Sequence, residues 1–430
     1  MSGSGGASQI SAPPPTKVEM NPTPSTTVVP EPTAARPQVS LWTILLAYLQ
    51  VGLTAFGWAI IQKLKALVMD NHWLSEEEMN EGLALVQLYP GPIMVDFTAY
   101  VGYKLRGIPG AILATLGFVL PSYGLMLILS ALYFAVGSLP WVHPLFLGLE
   151  ALVIGILFNI TLDFGARNIQ SRVQAVIALF AFAALLFKAN AILIVLVALA
   201  LGASLIRPTA GAGKSGSAAR LPHATAPIAR TRWMGIGAVI VVVLAVAAFA
   251  WSLGSDVGAL SLALFKIGAV AFGNGTTIIP LIQADVVDAN HWLTLNQFAD
   301  GIALGQITPG PFLITAAFIG YKMGGVLGAT LATFAIFSPS FAMTLVFTEI
   351  FARVRNLQAV RGALAGVLAS FVGLLAVVLL QLGGVALTTP AAITLAAAAF
   401  VAVRWFKLDI IWVFVGGIVL WVALLAVGVA

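Results

Sequence analysis

From Leu41 onward the chain is a succession of apolar stretches, many close to the roughly 20 residues that a helix needs to cross a hydrocarbon core of about 30 Å. In lipid every backbone polar group must be satisfied without water, which leaves helices or a closed barrel. Runs of this length select helices. Charged residues make up 9% of the 430 and hydrophobic ones 60%, against roughly 25% charged in a soluble domain. The expected fold class is an all-α polytopic membrane protein. Spans are read near 41–62, 83–104, 109–135, 143–163, 173–187, 189–206, 233–252, 258–281, 302–321, 326–350, 357–381, 390–404 and 408–428, about 13 transmembrane segments in all. Residues 173–206 and 390–428 are each short for two full crossings and fit short tilted hairpins.

Residues 1–40 differ from the rest. SAPPPTKVEM and NPTPSTTVVPEPTAARP are rich in Pro, Ser and Thr, which reads as a disordered tail without the basic and apolar regions of a signal peptide. The polar 207–232 linker carries Arg207, Lys214, Arg220, Arg230 and Arg232 and no acidic residue, so it is expected in the cytoplasm. Counting spans from it places Lys104/Arg106, Arg167/Arg172, Arg353/Arg355/Arg361 and Arg404/Lys407 on the same side, with the N-terminus. The uncharged loop 138–144 and the C-terminus fall outside. The net charge of +5 is modest and gives no argument for nucleic acid. The absence of cysteine excludes disulfides, thiolate metal sites and cysteine nucleophiles.

Two internal copies are evident. His72–Leu74 and Pro90–Gly91–Pro92 recur as His291–Leu293 and Pro309–Gly310–Pro311 at a shift of 219. Gly102–Lys104, Pro121–Ser122, Gly148 and Gly155 recur as Gly320–Lys322, Pro339–Ser340, Gly366 and Gly373 at 218, and Ala55–Gly57 matches Ala271–Gly273. The loop after the third span is uncharged in the first copy (138–144) and arginine-rich in the second (353–361). With 233–252 as a lone linking helix, the copies 41–206 and 258–430 are expected to be inverted-topology repeats, an arrangement of transporters with midplane sites. The Pro-Gly-Pro segments would break helices at depth. Pro is tolerated in a helix's first turn, so Pro92 and Pro311 are read as starts of half-helices whose N-termini face an anion.

Other candidates follow from residue type. Gln87, Gln306, Asn274, Thr276 and Thr277 donate hydrogen bonds without charge, as suits a site that releases its ligand. Lys266, in the apolar run LALFKIGAVAFG, is a candidate lure for an oxyanion, since an unpaired ammonium there is costly. Lys63 and Lys65 more simply snorkel to the interface. Lys104 and Lys322 hold equal places in the repeat, and topology alone also accounts for Lys104. Glu81 and Asp300 align at 219 and are read first as helix N-caps, with proton uptake as the alternative. Asp96 and Glu150 lie within spans and are either coupling groups or ion-pair partners. His72 and His291 read as interfacial anchors beside tryptophans rather than metal ligands, and no metal or cofactor is implied. No Walker A, GxSxG or HExxH is present, and AGAGKSGS (210–217) lacks the P-loop context, so no enzyme is expected.

The order AFG, HWL, an acidic residue ahead of Leu-Ala-x-x-Gln-x-x-Pro-Gly-Pro, Gly-Tyr-Lys, Pro-Ser resembles the chromate transporter family in its long, two-domain form, over about residues 45–160 and 260–375. That resemblance implies a bacterial inner-membrane secondary transporter that exports chromate and confers resistance, driven by membrane potential or an ion gradient. Gly57 and Gly273 belong to its motif. Gly57 is followed by Trp58 instead of a further glycine, a bulky indole expected to narrow the cavity beside one broken segment. Another tetrahedral oxyanion such as sulfate, or a channel on the same breaks, stays open, as does a homodimer.

Overall fold

The computed structural model describes residues 3, 39–57, 59–136, 142–206, 230–254, 256–273, 275–354 and 358–428. Every structural statement concerns these residues. Asn274 and Trp58, most of the 138–144 loop and nearly all of the 207–232 linker lie outside them.

The chain is helical apart from one pair of two-residue strands. In the first half, α1 (Leu41–Thr54) stops before Ala55 and α2 (Ala59–Asp70) follows, so the expected single span 41–62 is two helices. A turn leads to α3 (Glu76–Leu85), β1 (Gly91–Pro92), α4 (Ile93–Val136) and α5 (Val142–Asn168), then the hairpin α6 (Arg172–Leu186) and α7 (Ala191–Leu205). After α8 (Arg230–Ser252), the second half repeats the order. α9 (Asp256–Val270) ends before β2 (Phe272–Gly273), and a 3-10 turn, α10 (Ile279–Gln283) and a π turn run on to Ala289. Then come α11 (Leu295–Ile307), a 3-10 turn Phe312–Ile314, α12 (Thr315–Val354), α13 (Gln358–Ala386) and the hairpin α14 (Pro390–Arg404) and α15 (Ile410–Ala426). Five of these segments are long and apolar enough to cross a membrane, Ile93–Val136, Val142–Asn168, Arg230–Ser252, Phe312–Phe351 and Val360–Ala386. The protein is thus an all-α polytopic membrane protein, with several of the thirteen expected spans appearing as half-length pieces.

The hairpin helices α6, α7 and α14 have 15 residues each and α15 has 17. At 1.5 Å per residue, 15 residues rise about 22 Å, short of the hydrocarbon core. They are seated on long helices by glycine. A Cβ on Gly366 or Gly373 of α13 would come within 2.3 Å of Ala198 O or 2.0 Å of Ala178 O, on α7 and α6. On α5 the matching Gly148 and Gly155 receive Trp421 of α15 (2.3 Å) and Ala396 O of α14 (2.2 Å). The repeated glycines are therefore where the terminal hairpin of one half packs on the long helix of the other.

The Gly-Tyr-Lys motif has a similar explanation. α4 and α12 each turn back on themselves, at Arg106–Gly107 and at Gly324–Gly325, where Gly107 has φ 62° and Gly325 has φ 56°. With ψ near −149° and −142° as well, both lie in a region that essentially only glycine adopts. The legs then touch backbone to backbone, because Gly102 faces Gly110 O and Gly320 faces Gly328 O.

Candidate functional site

The site begins with the two interruptions in each half. β1 pairs in parallel with β2, Gly91 opposite Phe272 and Pro92 opposite Gly273. Reciprocally, Gly310 N–H donates to Ala55 O at 2.9 Å. Each Pro-Gly-Pro break therefore lies against the Ala-Phe-Gly break of the opposite half. Backbone groups that a bilayer would leave unsatisfied, at several kcal/mol each, find partners across this crossing. The Pro-Ser motif completes it. A Cβ on Gly91 would meet Ser340 Cβ at 2.7 Å, and one on Gly310 (φ 95°) would meet Ser122 Oγ at 2.9 Å. Helix restarts at Ile93 and at Phe312, each just past a proline.

The two breaks differ in charge. Asp96, fully buried, folds back beneath Gly91, whose Cβ would lie 1.8 Å from Asp96 Oδ2, and neither of its carboxylate oxygens has a hydrogen-bond partner among the described residues. The residue at the matching place of the second copy is Thr315, whose Oγ1 donates to Phe312 O at 3.0 Å. An acidic group already occupies the first half-helix terminus, whereas the second has a neutral one.

A cavity of about 770 Å³ adjoins the crossing, within the roughly 300–1,000 Å³ usual for small-ligand sites. Gly57, Gly273 and Gly310 line it at the breaks, with Gln87, Gln306, Thr276 and Thr277. Gln87 Nε2 is spent on Leu83 O (2.9 Å) and Thr277 Oγ1 on Phe272 O. Gln306 Nε2 is buried and has no hydrogen-bond partner. From the crossing the cavity reaches Asp163, Arg167 and Gln170 at the end of α5 and Arg361 at the start of α13. Asp163 is ion-paired with Arg404. Tyr103 donates to Glu349 at 2.6 Å, and Arg232 lies 3.4 Å from the same carboxylate. Since Glu349 is near the end of α12, just ahead of α13, these basic residues gather at one end of the molecule.

Several expected groups lie elsewhere. Lys266 is exposed, and its charge acts on Asp285. Lys322 sits over the Phe134 ring at 5.3 Å and Lys104 over Tyr100 at 5.4 Å, neither on the cavity wall. Lys63 Nζ donates to Thr54 O at 2.6 Å, closing the C-terminus of α1. Glu81 and Asp300 are not caps. The capping boxes are Ser75/Glu78 on α3 and Thr294/Gln297 on α11, themselves related by 219. Glu81 is half-buried, whereas Asp300 is buried and contacts Glu150 and Tyr133. His72 and His291 both take left-handed turns, with φ 51° and 53°, and Trp73 packs 6.1 Å from the Tyr48 ring instead of facing outward. No group of metal-ligating residues occurs among the described residues.

Sequence reading treated Arg167 and Arg361 only as topology markers and missed Tyr133 and the role of Ser122 and Ser340. The repeated Pro-Ser was the available signal, but only the fold shows that each serine serves the opposite half.

The chromate transporter family model matches twice, over residues 42–203 and 258–422. An uncharacterized transporter of Methanocaldococcus jannaschii is 32% identical over 340 residues, covering 79% of this chain and 83% of its own. Chromate transport proteins of Cupriavidus metallidurans and Pseudomonas aeruginosa are each 29% identical, covering 80% and 86% of this chain and 84% and 87% of theirs. No solved structure matches. With both halves matched and the motifs meeting at one crossing, the chain belongs to the chromate transporter family and is a transporter, not an enzyme.

Proposed function

We propose that the protein carries chromate, a tetrahedral dianion, out of the cytoplasm through the cavity beside the crossed breaks, by secondary transport across the inner membrane. The two halves, 41–206 and 258–430, act as inverted repeats around this site, with the linker 207–232 and the N-terminus in the cytoplasm. The observation that carries the reading is the cavity itself. It joins the uncharged donors Gln306 and Thr276 at the breaks to Arg167 and Arg361 at its outer reach. Arginines there attract an anion through the field of a low-dielectric cleft, and neutral donors at depth hold it weakly enough to let go. Asp96 at the first half-helix directs the anion to the second-half side, where Gln306 Nε2 is without a partner. The gathering of Arg232, Arg361 and Arg404 at one end supports a cytoplasmic opening by the positive-inside rule. Chromate as cargo is supported by the family and by the printed function of the relatives in Cupriavidus metallidurans and Pseudomonas aeruginosa.

Uptake of labelled chromate into inverted membrane vesicles, with sulfate and molybdate as competitors, tests this. Saturable uptake displaced only weakly by sulfate is expected. Uptake of sulfate that chromate cannot displace would reassign the cargo, and turnover far above that of carriers would make the protein a channel.

A further inference from the structure

The end of α5 away from Arg167 holds a cluster that the cavity does not reach. Glu150 and Asp300 are 3% and 6% exposed. Their carboxyl groups are close enough to act on each other, and Tyr133 Oη donates to Asp300 Oδ2 at 2.5 Å. Glu150 Oε2 and Asp300 Oδ1 are buried with no hydrogen-bond partner among the described residues. Ionised carboxylates are acceptors only, so two buried ones side by side can be joined by a hydrogen bond only when they share a proton. An aromatic wedge surrounds the pair. The Tyr133 ring lies 4.9 Å from Phe134, 5.1 Å from Phe146 and 5.2 Å from Phe318, and Phe318 in turn covers Gly301.

The cluster has no twin. The repeat shift of 218 puts Phe351 and Leu368 where Tyr133 and Glu150 stand, and 219 puts Glu81 opposite Asp300. Leu368 lines the cavity. The cavity thus reaches the place that the repeat relates to Glu150 and stops short of Glu150 and Asp300 themselves. On α11, Asp300 and Gln306 are six residues apart, about 9 Å along the axis, so a shift of this helix moves both.

We propose that Glu150 and Asp300 hold one proton between them and that this proton keeps the far end of the transport path shut. That end opens when the proton is released to the solution on the same side. Loss of the proton leaves two like charges in contact in a medium of low dielectric, and they repel. The remaining titratable groups nearby are Tyr133 on α4, exposed His143 on α5, whose charge acts on Asp300, and Lys322 on α12, held over Phe134. The packed length of α13, Gly362–Ala386, and α15 carry none.

This inference rests on the carrier reading above. It is tested in proteoliposomes with the potential clamped and the pH varied on one side only. Wild-type chromate flux is expected to rise by up to about tenfold per pH unit on the Glu150 side, the slope of one titrating proton. Glu150→Gln replaces the shared proton with a permanent amide donor to Asp300 and is expected to hold flux at the low, acid-like level at every pH, as is Asp300→Asn. A wild-type slope retained in Glu150→Gln overturns the proposal. In lipid discs, infrared titration of the full chain is expected to show a protonated-carboxyl band that disappears on raising the pH and is absent in Glu150→Gln. The same band in both proteins also overturns the proposal. If wild type moves no chromate, the carrier reading fails, and the infrared result still decides the proton.

Discussion

At the residue scale, Gln306 separates a ligand group from a packing group. Its Nε2 is buried without a partner, and a hydrogen bond to a charged acceptor contributes roughly 1.5–3 kcal/mol. Gln306→Leu is expected to raise KM for chromate by about 10- to 150-fold, while the anion-free protein melts no lower than wild type. A lower Tm without anion would assign Gln306 to the scaffold. Gly91 is a poorer probe than its motif suggests, because any side chain there collides with Asp96 and Ser340. Gly310 and Gly107 make an informative pair, since both have positive φ but a Cβ on Gly107 meets nothing within 4 Å. Gly107→Ala should lose about 1–3 kcal/mol from backbone strain and keep transport. Gly310→Ala should abolish transport, because it also forces the backbone away from Ser122 and from its bond to Ala55. Equal transport by both variants would count against a role for the crossing.

Among the elements, the short hairpins depend on their glycine seats. A Cβ on Gly155 would lie 2.2 Å from the backbone oxygen of Ala396, which cannot rotate away. Gly155→Ala is expected to destabilise by about 1–3 kcal/mol through overpacking. Gly416, within α15, has open space at its Cβ, so Gly416→Ala should be neutral or stabilise by up to about 1 kcal/mol. Thermal melts of the two variants in detergent decide this, and a Gly155→Ala protein as stable as wild type would show that α14 is not seated there. The repeated glycines were visible in the sequence at one constant shift. Their partners were not, because each contact joins residues more than 150 positions apart. The caps show the same limit, since Glu81 and Asp300 align as well as Ser75 and Thr294 do, and only the helix starts tell them apart.

For the whole molecule, inverted halves predict opposite exposure of matching loops. Single cysteines placed in 138–144 and in 353–361 of this cysteine-free chain should be labelled by an impermeant reagent from opposite sides. Labelling of both from one side would rule the inversion out. Moving one charge through 100 mV is worth about 2.3 kcal/mol, so export of a dianion from a negative interior gains roughly 4–5 kcal/mol at that potential. Chromate flux in proteoliposomes is expected to follow an imposed potential, and flux indifferent to it would require another driving force.

By itself the sequence determined the solvent, the class and the symmetry. Scarcity of charge over long apolar runs requires lipid, lipid requires helices, and motifs recurring at 218–219 require two related halves. Local chemistry also placed the helix restarts, since proline removes a donor wherever it stands. Tertiary structure alone decided which groups meet. The Ala-Phe-Gly segments become a second pair of breaks only because the opposite Pro-Gly-Pro supplies their hydrogen-bond partners. Glu150 and Asp300 become one pair because α5 and α11 pack side by side. Lys266 falls outside the cavity because its face of α9 turns away from the crossing. A periodic pattern specifies that a helix has a face to bury, but which face meets which partner depends on contacts between distant segments.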